Sequence, residues 1–436
     1  MSEKDLEKIK NDITTEFSKK NYSHAKKIAL ELFYRTNRLV HLSDAVTCMT
    51  FLGEWDEVIK KSKVILKNSD RLSFEYINAL DGLSHASYVK KDMYSVRKYG
   101  SKSLRIKDEI HIKENKNKRY NLIDNKSKKD GINVISFSLY GTDPKYNITA
   151  IFNVILSKRI YPDWICRFYI DNTVPMNIRE RLIDLGSELI FVDSNQKKLP
   201  GTTWRFLAAD DPDISRVIFR DADSLISERE RYAVNEWLDS EKAFHIIRDE
   251  GSHTSLILAG LFGMITKKIP NIEVMLYDYL SDNKKINDRY YDQNFLSLRL
   301  WGYMRQDLMT HTNIFDIEDS KEIPNGSKFS IGSNEFVFKY QVTLNDHVNT
   351  NYDYYLELYS RYSPYIDLQG QQEIYDKEKL IGVFHLEIIG YTATIELPLR
   401  FAHGIKDNYS RVNVYKKRKN KNDSLPDPQS EISHDF

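Results

Sequence analysis

The stretch Arg216-Val-Ile-Phe-Arg-Asp-Ala-Asp-Ser224 decides the fold that we predict for this chain. Its apolar part, residues 216–219, has the β-branched and aromatic character of a buried strand. Two carboxylates, Asp221 and Asp223, follow the strand at once. A strand that ends on paired acids indicates a sheet with a polar ligand site at its edge.

Strands and helices alternate before this stretch. Strand-like runs occupy 132–139, 164–170 and 188–192, and helical runs occupy 147–159, 177–185 and 203–209. This alternation predicts an α/β fold, in which a mainly parallel sheet is flanked by helices. Ligands of such sheets bind at the carboxyl ends of the strands, where Tyr140-Gly141 and residues 220–224 lie.

The chain before the sheet reads as helices with a weak internal repeat. Three segments share a polar turn followed by a new apolar stripe: Phe17-Ser-Lys-Lys-Asn-Tyr-Ser-His-Ala25, Phe51-Leu-Gly-Glu-Trp-Asp-Glu-Val58 and Tyr88-Val-Lys-Lys-Asp-Met-Tyr-Ser-Val96. Their spacing is close to the roughly 34-residue period of tetratricopeptide helix pairs. We therefore predict an all-α repeat-like domain, with a plain helical bundle as the alternative. Its surface would offer a contact to a protein partner or to a second copy of the chain.

The domain organisation follows from these changes in the sequence pattern along the chain. We predict a helical domain at 1–108, a charged linker at 109–130, the α/β domain at 131–330, a small β-rich extension at 331–415 and a disordered tail at 416–436.

Composition excludes several classes of protein. Lys and Arg number 64 against 63 Asp and Glu, a balance that argues against a nucleic-acid binder. Cys48 and Cys166 fall in different predicted domains, so we expect no disulfide and a reducing compartment. A secretory leader and a long apolar run are not visible. We therefore expect a cytoplasmic protein, a location that is compatible with peripheral attachment to a membrane.

The paired acids suit a hard divalent cation. Mg²⁺ and Mn²⁺ prefer oxygen ligands and are often shared between carboxylates and a substrate diphosphate. The spacing alone is weak evidence, because Asp211-Pro-Asp213 has the same spacing and reads as a surface turn. The preceding strand distinguishes Asp221 and Asp223 from that turn.

The segment 132–316 resembles the GT-A class of glycosyltransferases, whose metal motif is Asp-x-Asp at the end of a central strand. The matching pieces, in the family's order, are Ser136-Phe-Ser-Leu-Tyr140, Thr203-Trp-Arg-Phe-Leu-Ala-Ala209, Arg220-Asp-Ala-Asp-Ser224, Ile257-Leu-Ala-Gly-Leu-Phe-Gly263, Tyr291-Asp-Gln-Asn-Phe-Leu296 and Met309-Thr-His-Thr-Asn313. The chain departs from the glycogenin-like pattern at Leu258-Ala-Gly260, where that pattern has Asn-x-Gly. A His-x-x-Gly-x-x-Lys-Pro-Trp tail is also missing from the sequence, so retention or inversion stays open.

The resemblance implies a GT-A, Rossmann-like mixed sheet and a metal-dependent transfer of sugar from a nucleoside-diphosphate donor. The donor would be UDP-linked, and the acceptor a glycan or a lipid-linked molecule of surface-polysaccharide or glycoconjugate synthesis. The implied donor-binding residues are Ser138, Leu139, Tyr140, Arg205, Arg220, Asp221, Ala222 and Gly260. The implied ligands of Mn²⁺ or Mg²⁺ are Asp221, Asp223 and His311. The implied catalytic residues are Asp292, Gln293 and Asp249.

Other interpretations stay open at this point. Asp292 could cap a helix at 293–300, and Arg220 could form an internal salt bridge. A haloacid-dehalogenase-type phosphatase also uses Asp-x-Asp after an apolar strand, although that family places the strand near the start of its domain. A non-catalytic repeat scaffold carrying a degenerate transferase domain is the third alternative.

Overall fold

The computed structural model describes residues 3–124, 131–282, 290–324, 330–344, 349, 351–361, 378–386, 388–406, 408 and 410–418. The chain divides into two compact units. The first unit comprises Met1–Asn121, Ile246–Leu258 and Gln293–Glu322, and the second comprises Leu122–His245, Ala259–Asp292 and Ile323–Phe436.

The N-terminal region is all-helical, as the sequence predicted. Its helices are α1 (Glu3–Ser18), α2 (Tyr22–Thr36), α3 (Leu39–Leu52), α4 (Trp55–Asn68), α5 (Phe74–Val89) and α6 (Met93–Glu114). Each helix packs on the next one along the chain. Small residues such as Ala25, Ala29 and Ala79 are fully buried between helices, which lets the helix axes approach closely.

The three similar sequence segments lie at three similar turns, one within each helix pair. Lys20, Gly53 and Lys91 adopt the left-handed conformation, with φ of 61°, 71° and 61°. Each donates its N–H to the carbonyl three residues earlier, and the next residue donates to the carbonyl five residues earlier. This bonding closes a helix C-terminus in the same way three times. The tetratricopeptide-like assignment itself stays a prediction.

Helix α6 continues to Glu114, into the stretch predicted as a linker. The buried face of the helix extends as far as His111, so the helix does not end where the apolar sequence pattern weakens. The last part of that predicted linker, 125–130, lies outside the described residues.

The structure contains a seven-stranded mixed sheet flanked by helices, which confirms the predicted α/β class. Its strands are β1 (Ile132–Leu139), β2 (Trp164–Ile170), β3 (Glu188–Phe191), β4 (Ile214–Arg220), β5 (Phe244–Arg248), β6 (Leu261–Ile265) and β7 (Leu308–Thr312), in the order β3-β2-β1-β4-β6-β5-β7. In the second unit, β1 pairs in parallel with β2 and with β4, whereas β6 pairs antiparallel with β4. The accompanying helices are α7 (Pro144–Ile160), α8 (Met176–Asp184), α9 (Glu228–Asp239), α10 (Ile272–Asp282), α11 (Tyr291–Phe295) and α12 (Trp301–Met304).

Two predicted helices differ in detail. The run predicted at 203–209 is a 3₁₀ helix, Gly201–Asp210. One reason lies in β1: Ser138 Oγ accepts the N–H of Arg205 and Ser136 Oγ donates to its carbonyl, which diverts both groups from an α-helical ladder. The helix predicted at 293–300 is instead α11 followed by a π-helical turn, Leu296–Leu300.

The C-terminal part is β-rich, as predicted. It contains β8 (Val337–Thr343), β9 (Tyr352–Ser360), β10 (Lys379–Leu386), β11 (Ile388–Ile389), β12 (Thr392–Pro398), α13 (Leu399–Lys406) and β13 (Ser410–Arg418). The strands form two antiparallel sheets, β10-β9-β13 and β11-β12-β8. Strand β13 extends to Arg418, three residues into the predicted disordered tail, because its backbone pairs with β9 over its whole length. The rest of that predicted tail, 419–436, lies outside the described residues.

Cys48 and Cys166 are both free thiols and both buried. In the described part of the chain, no helix combines the length and the apolar character that a membrane crossing requires.

Candidate functional site

Asp221 and Asp223 lie in the loop that follows β4, at the sheet edge where β1 also ends. In the parallel pair β1–β4, Ser136 lies opposite Phe219, so the loops after the two strands start side by side. The side chain of Asp221 is 43% exposed and that of Asp223 only 10%. One carboxylate therefore faces solvent and the other points inward.

The loop of paired acids is anchored by buried polar groups. Asn153 of α7, which is fully buried, donates to Ser224 O at 2.9 Å and accepts from Ile226 N at 3.0 Å. Glu335 N donates to Asp223 O at 2.6 Å, and Ser224 forms a β-bridge with Asn334. These bonds fix the backbone from Asp223 to Ile226, so the loop that carries the acids is anchored on its C-terminal side.

Arg205 connects the paired acids to a third carboxylate. Its guanidinium donates to Asp221 Oδ1, to Arg220 O at 3.1 Å and to Asp292 Oδ2 at 3.0 Å. The side chain is only 4% exposed, and burial lowers its pKa while the charges of Asp221 and Asp292 outweigh that effect, so the pKa is raised overall. Arg205 therefore remains charged and holds Asp221 and Asp292 on one planar group.

Lys145 is the second cation at the acids. Asp143 caps α7 by accepting the N–H of Lys145, and Pro144 occupies the first helical position, so the helix begins directly after the loop that follows β1. The ammonium group lies 2.5 Å from Asp223 Oδ2. Burial and the charge of Asp221 raise the pKa of Asp223, and Lys145 counteracts them.

Two further predicted residues surround Asp221. A Cβ on Gly260 would overlap the Asp221 carboxylate, so the absence of a side chain there gives the carboxylate its place. Tyr140 is 42% exposed and packs edge-on against Trp204, with ring centroids 5.5 Å apart. Its pKa is raised by burial and by the neighbouring Tyr146, Asp292 and Asp221.

The remaining donor-binding predictions have inward-facing side chains. Arg220 forms the internal salt bridge that was one of its two interpretations: its Nε lies 2.8 Å from Glu230 Oε1, and both side chains are 2% exposed. Ser138 holds the main chain of Arg205, and Leu139 and Ala222 are buried. All four of these residues are buried, and their donor-binding roles stay predictions.

Three predicted residues belong to the first unit. Asp249 N donates to His253 Nδ1 at 3.0 Å, Ser255 Oγ donates to Gln293 Oε1 at 2.7 Å, and His311 is fully buried in β7. Their assignments stay predictions. Asp292 lies inside the first turn of α11, which begins at Tyr291, so it is not the helix N-cap.

The described residues contain no group of three or more His, Cys, Asp or Glu side chains arranged to hold a metal ion. The local ligands are two carboxylates, Asp221 and Asp223. They fit the open arrangement in which Mg²⁺ or Mn²⁺ binds one or two carboxylates and completes its shell with substrate phosphate and water. With Asp292, three carboxylates face the two cations Arg205 and Lys145, so this cluster carries no positive excess to neutralise an incoming diphosphate.

Sequence reasoning missed Lys145, Asn153 and Glu335. The signal for Lys145 was present, since Asp143-Pro144 marks a helix start at the ligand edge and the next side chain is a lysine. Asn153 lies on an apolar helix face and Glu335 is far away in the sequence, so only the tertiary structure brings them to the loop. The weak control Asp211-Pro-Asp213 forms a local turn, as predicted: Asp213 N donates to Asp211 Oδ1 at 2.8 Å.

Comparisons with known proteins give little. The chain matches no protein-family model and no curated protein. Among solved structures, the galactosyltransferase LgtC in complex with donor and acceptor sugar analogues is 15% identical and gives a TM-score of 0.31, with coverage of 42% of this chain and 73% of that one. An active-site mutant of LgtC gives 14% identity, a TM-score of 0.30 and the same coverage. The 4-diphosphocytidyl-2C-methyl-D-erythritol synthase of Anaerococcus prevotii is 13% identical and gives a TM-score of 0.29, with coverage of 44% of this chain and 92% of that one. These scores are too low to carry an argument about this chain.

Proposed function

We propose that the chain is a GT-A-type glycosyltransferase that moves a sugar from a nucleoside-diphosphate donor, with UDP as the expected nucleotide. The observation that carries the proposal is the group formed by Asp221, Asp223, Asp292 and Arg205 at the carboxyl ends of β1 and β4. Two of these carboxylates, Asp221 and Asp292, are held by one buried arginine, and the third, Asp223, lies in the same loop as Asp221. Such an acidic group at the ligand edge of an α/β sheet suits a divalent cation that brings an anionic ligand with it.

Each residue of the group has a task in this proposal. Asp221 and Asp223 hold Mn²⁺ or Mg²⁺ together with the diphosphate, and the metal neutralises the charge that grows on the diphosphate as the sugar leaves. Arg205 holds Asp221 and Asp292 at a fixed separation. Tyr140, partly exposed beside this group, stacks on the nucleoside.

The sugar end of the donor lies towards Asp292 in this proposal. A carboxylate in that position either accepts the proton of the acceptor hydroxyl or contacts the sugar hydroxyls. The acceptor is a glycan or a lipid-linked molecule, and the reaction takes place in the cytoplasm or at the surface of a membrane. The N-terminal helices contact a protein partner or a second copy of the chain.

The test is the release of nucleoside diphosphate from a panel of nucleotide sugars in the presence of Mn²⁺. We expect release from at least one UDP-sugar, and loss of that release in Asp223→Asn. The matched control is Asp213→Asn, which removes an acid from the other Asp-x-Asp sequence and should leave the release unchanged.

Two outcomes would contradict the proposal. Neither release nor binding of any donor, with metal present, would favour the scaffold interpretation. Phosphate release from a simple monoester such as p-nitrophenyl phosphate, lost in Asp221→Asn, would favour a phosphatase.

A further inference from the structure

Two cations among the described residues, Arg205 and Lys145, contact the paired acids, and they are held very differently. The guanidinium of Arg205 bonds to Asp221, Arg220 O and Asp292, and both main-chain polar groups of Arg205 bond to serines of β1. Within the described part of the chain, Lys145 has one ion pair, to Asp223, and its side chain is 23% exposed. Arg205 is therefore part of the framework, whereas Lys145 is held by fewer contacts and is closer to solvent.

The remaining contacts of Lys145 are weak. Its ammonium lies 5.2 Å from the ring centroid of Tyr146 and 5.8 Å from that of Phe336, whose ring is 63% exposed. Partly exposed cation–π contacts of this kind contribute on the order of 0.5 kcal/mol each. These cation–π contacts favour the position of the Lys145 ammonium near Asp223 only slightly, and the side chain remains flexible.

Asp223 is where this contact matters most. Its side chain is only 10% exposed, and its backbone carbonyl is already bonded to Glu335 N. A metal ion that binds Asp223 through Oδ2 would lie close to the ammonium of Lys145, which contacts the same oxygen. Because the two cations repel each other at that distance, metal binding competes with the Lys145 contact.

We propose that Lys145 occupies the cation position at Asp223 while the donor is absent, so that a divalent metal enters together with a nucleoside diphosphate. The diphosphate offers the ammonium new anionic partners, Lys145 moves to it, and the metal takes the vacated place on Asp223. Metal and nucleotide then bind cooperatively, because both require Lys145 to leave Asp223 and the free energy of that displacement is spent only once when they bind together. This inference rests on the proposed function for the identity of the nucleotide.

The experiment measures Mn²⁺ binding to the full chain without any nucleotide, from the electron paramagnetic resonance signal of free Mn²⁺. We expect Lys145→Met to bind Mn²⁺ at least about tenfold more tightly than the wild type, within the usual range of coupling between sites. Lys145→Arg keeps a cation at Asp223 and should bind Mn²⁺ as weakly as the wild type. Lys158→Met, an exposed lysine on the same helix, is the matched control and should change nothing.

A second titration adds UDP. In the wild type, UDP should strongly increase the affinity for Mn²⁺. In Lys145→Met the increase caused by UDP should be smaller, by about the factor by which this substitution raises Mn²⁺ affinity without nucleotide, since the coupling is reciprocal. The double variant Lys145→Met with Asp223→Asn should lose the tighter Mn²⁺ binding, which assigns the effect to Asp223.

The outcomes separate the two claims. Unchanged or weaker Mn²⁺ binding by Lys145→Met, with the fold intact by circular dichroism, would overturn the role of Lys145. Tighter Mn²⁺ binding that UDP does not affect in either protein would uphold the competition at Asp223 and overturn the nucleotide part of the proposal.

Discussion

A methyl group at Gly260 tests the geometry of the site with the smallest perturbation. An ideal Cβ there would lie 2.5 Å from Asp221 Cγ and closer still to Oδ2, whereas real Cβ atoms essentially never come within 3.0 Å of another heavy atom. The backbone at Gly260 needs no left-handed conformation, so alanine changes only the space. Because Asp221 is 43% exposed, its carboxylate can swing towards solvent and relieve the clash.

The cost of Gly260→Ala therefore falls on binding and catalysis more than on folding. A carboxylate displaced by about 1 Å leaves Arg205 and the metal position, and a misplacement of that size can cost about a hundredfold in rate. A hundredfold loss in kcat/KM corresponds to about 2.7 kcal/mol of transition-state stabilisation. We expect this loss for donor hydrolysis or transfer, with a thermal unfolding midpoint within a few degrees of the wild type.

Gly263→Ala is the matched control. Its Cβ would meet Ile218 Cγ2 at 2.9 Å and Trp237 Cζ3 at 3.2 Å, both in the core and away from Asp221. Overpacking of this kind costs about 1–3 kcal/mol of stability, so the control should unfold more easily and keep its kcat/KM. If Gly260→Ala retains full activity, or if both variants lose activity in proportion to stability, the reasoning about Asp221 is wrong.

Three other predictions concern the support of the site and the first unit. Arg205→Met should lower the free energy of unfolding by about 3 kcal/mol, because the buried Asp292 carboxylate loses its ion pair with the guanidinium; adding Asp292→Asn should restore part of this free energy in a denaturant double-mutant cycle, and an additive cycle would contradict the contact. Asn153→Leu removes the side chain that bonds to Ser224 O and Ile226 N, and should lower the free energy of unfolding by about 2–4 kcal/mol. It should also weaken the binding of Mn²⁺ and UDP measured by calorimetry. Unaltered binding would show that the loop does not depend on Asn153. Burial, with the charges of Arg248 and His85, lowers the pKa of His253 from 6.5 to about 3, so the unfolded chain takes up a proton that the folded chain resists. The free energy of unfolding should therefore be highest above pH 6.5 and fall at lower pH, by up to about 1.4 kcal/mol per pH unit. The variant His253→Asn keeps an acceptor for Asp249 N, and its melting temperature should depend less on pH between pH 6.5 and 4. An equal pH dependence of the melting temperature in the two proteins would refute this.

Local patterning predicted the parts of the fold that local forces determine. The buried runs of β1 and β2 were predicted to the residue, since their apolar and β-branched side chains permit little else. Strands β9 and β13 were missed, because they carry many polar residues (Asp, Glu and Ser in β9; Asn, Lys and Arg in β13) and become recognisable as strands only when they pair with each other. The end of β13 was assigned to the disordered tail for the same reason.

The candidate site shows the same division. The acids after β4, Arg205 and Asp292 stand out in the sequence as an ordered series, and all of them meet in the second unit. The contacts of Arg220 could not be chosen from the sequence, because its partner Glu230 is one of many acids until helix α9 folds back. Lys145 was passed over because a lone lysine in a chain with 64 basic residues carries no signal before its distance to Asp223 is known.

The central claim is that Asp221 and Asp223 bind a divalent cation together with a nucleoside diphosphate. The most direct test is an anomalous difference map from crystals grown with Mn²⁺ and UDP. The account predicts a manganese peak bound by Asp223, with UDP phosphate oxygens completing the shell and the ammonium of Lys145 moved away from Asp223. A map with UDP bound elsewhere, or with manganese absent from this loop while Lys145 still contacts Asp223, would contradict it.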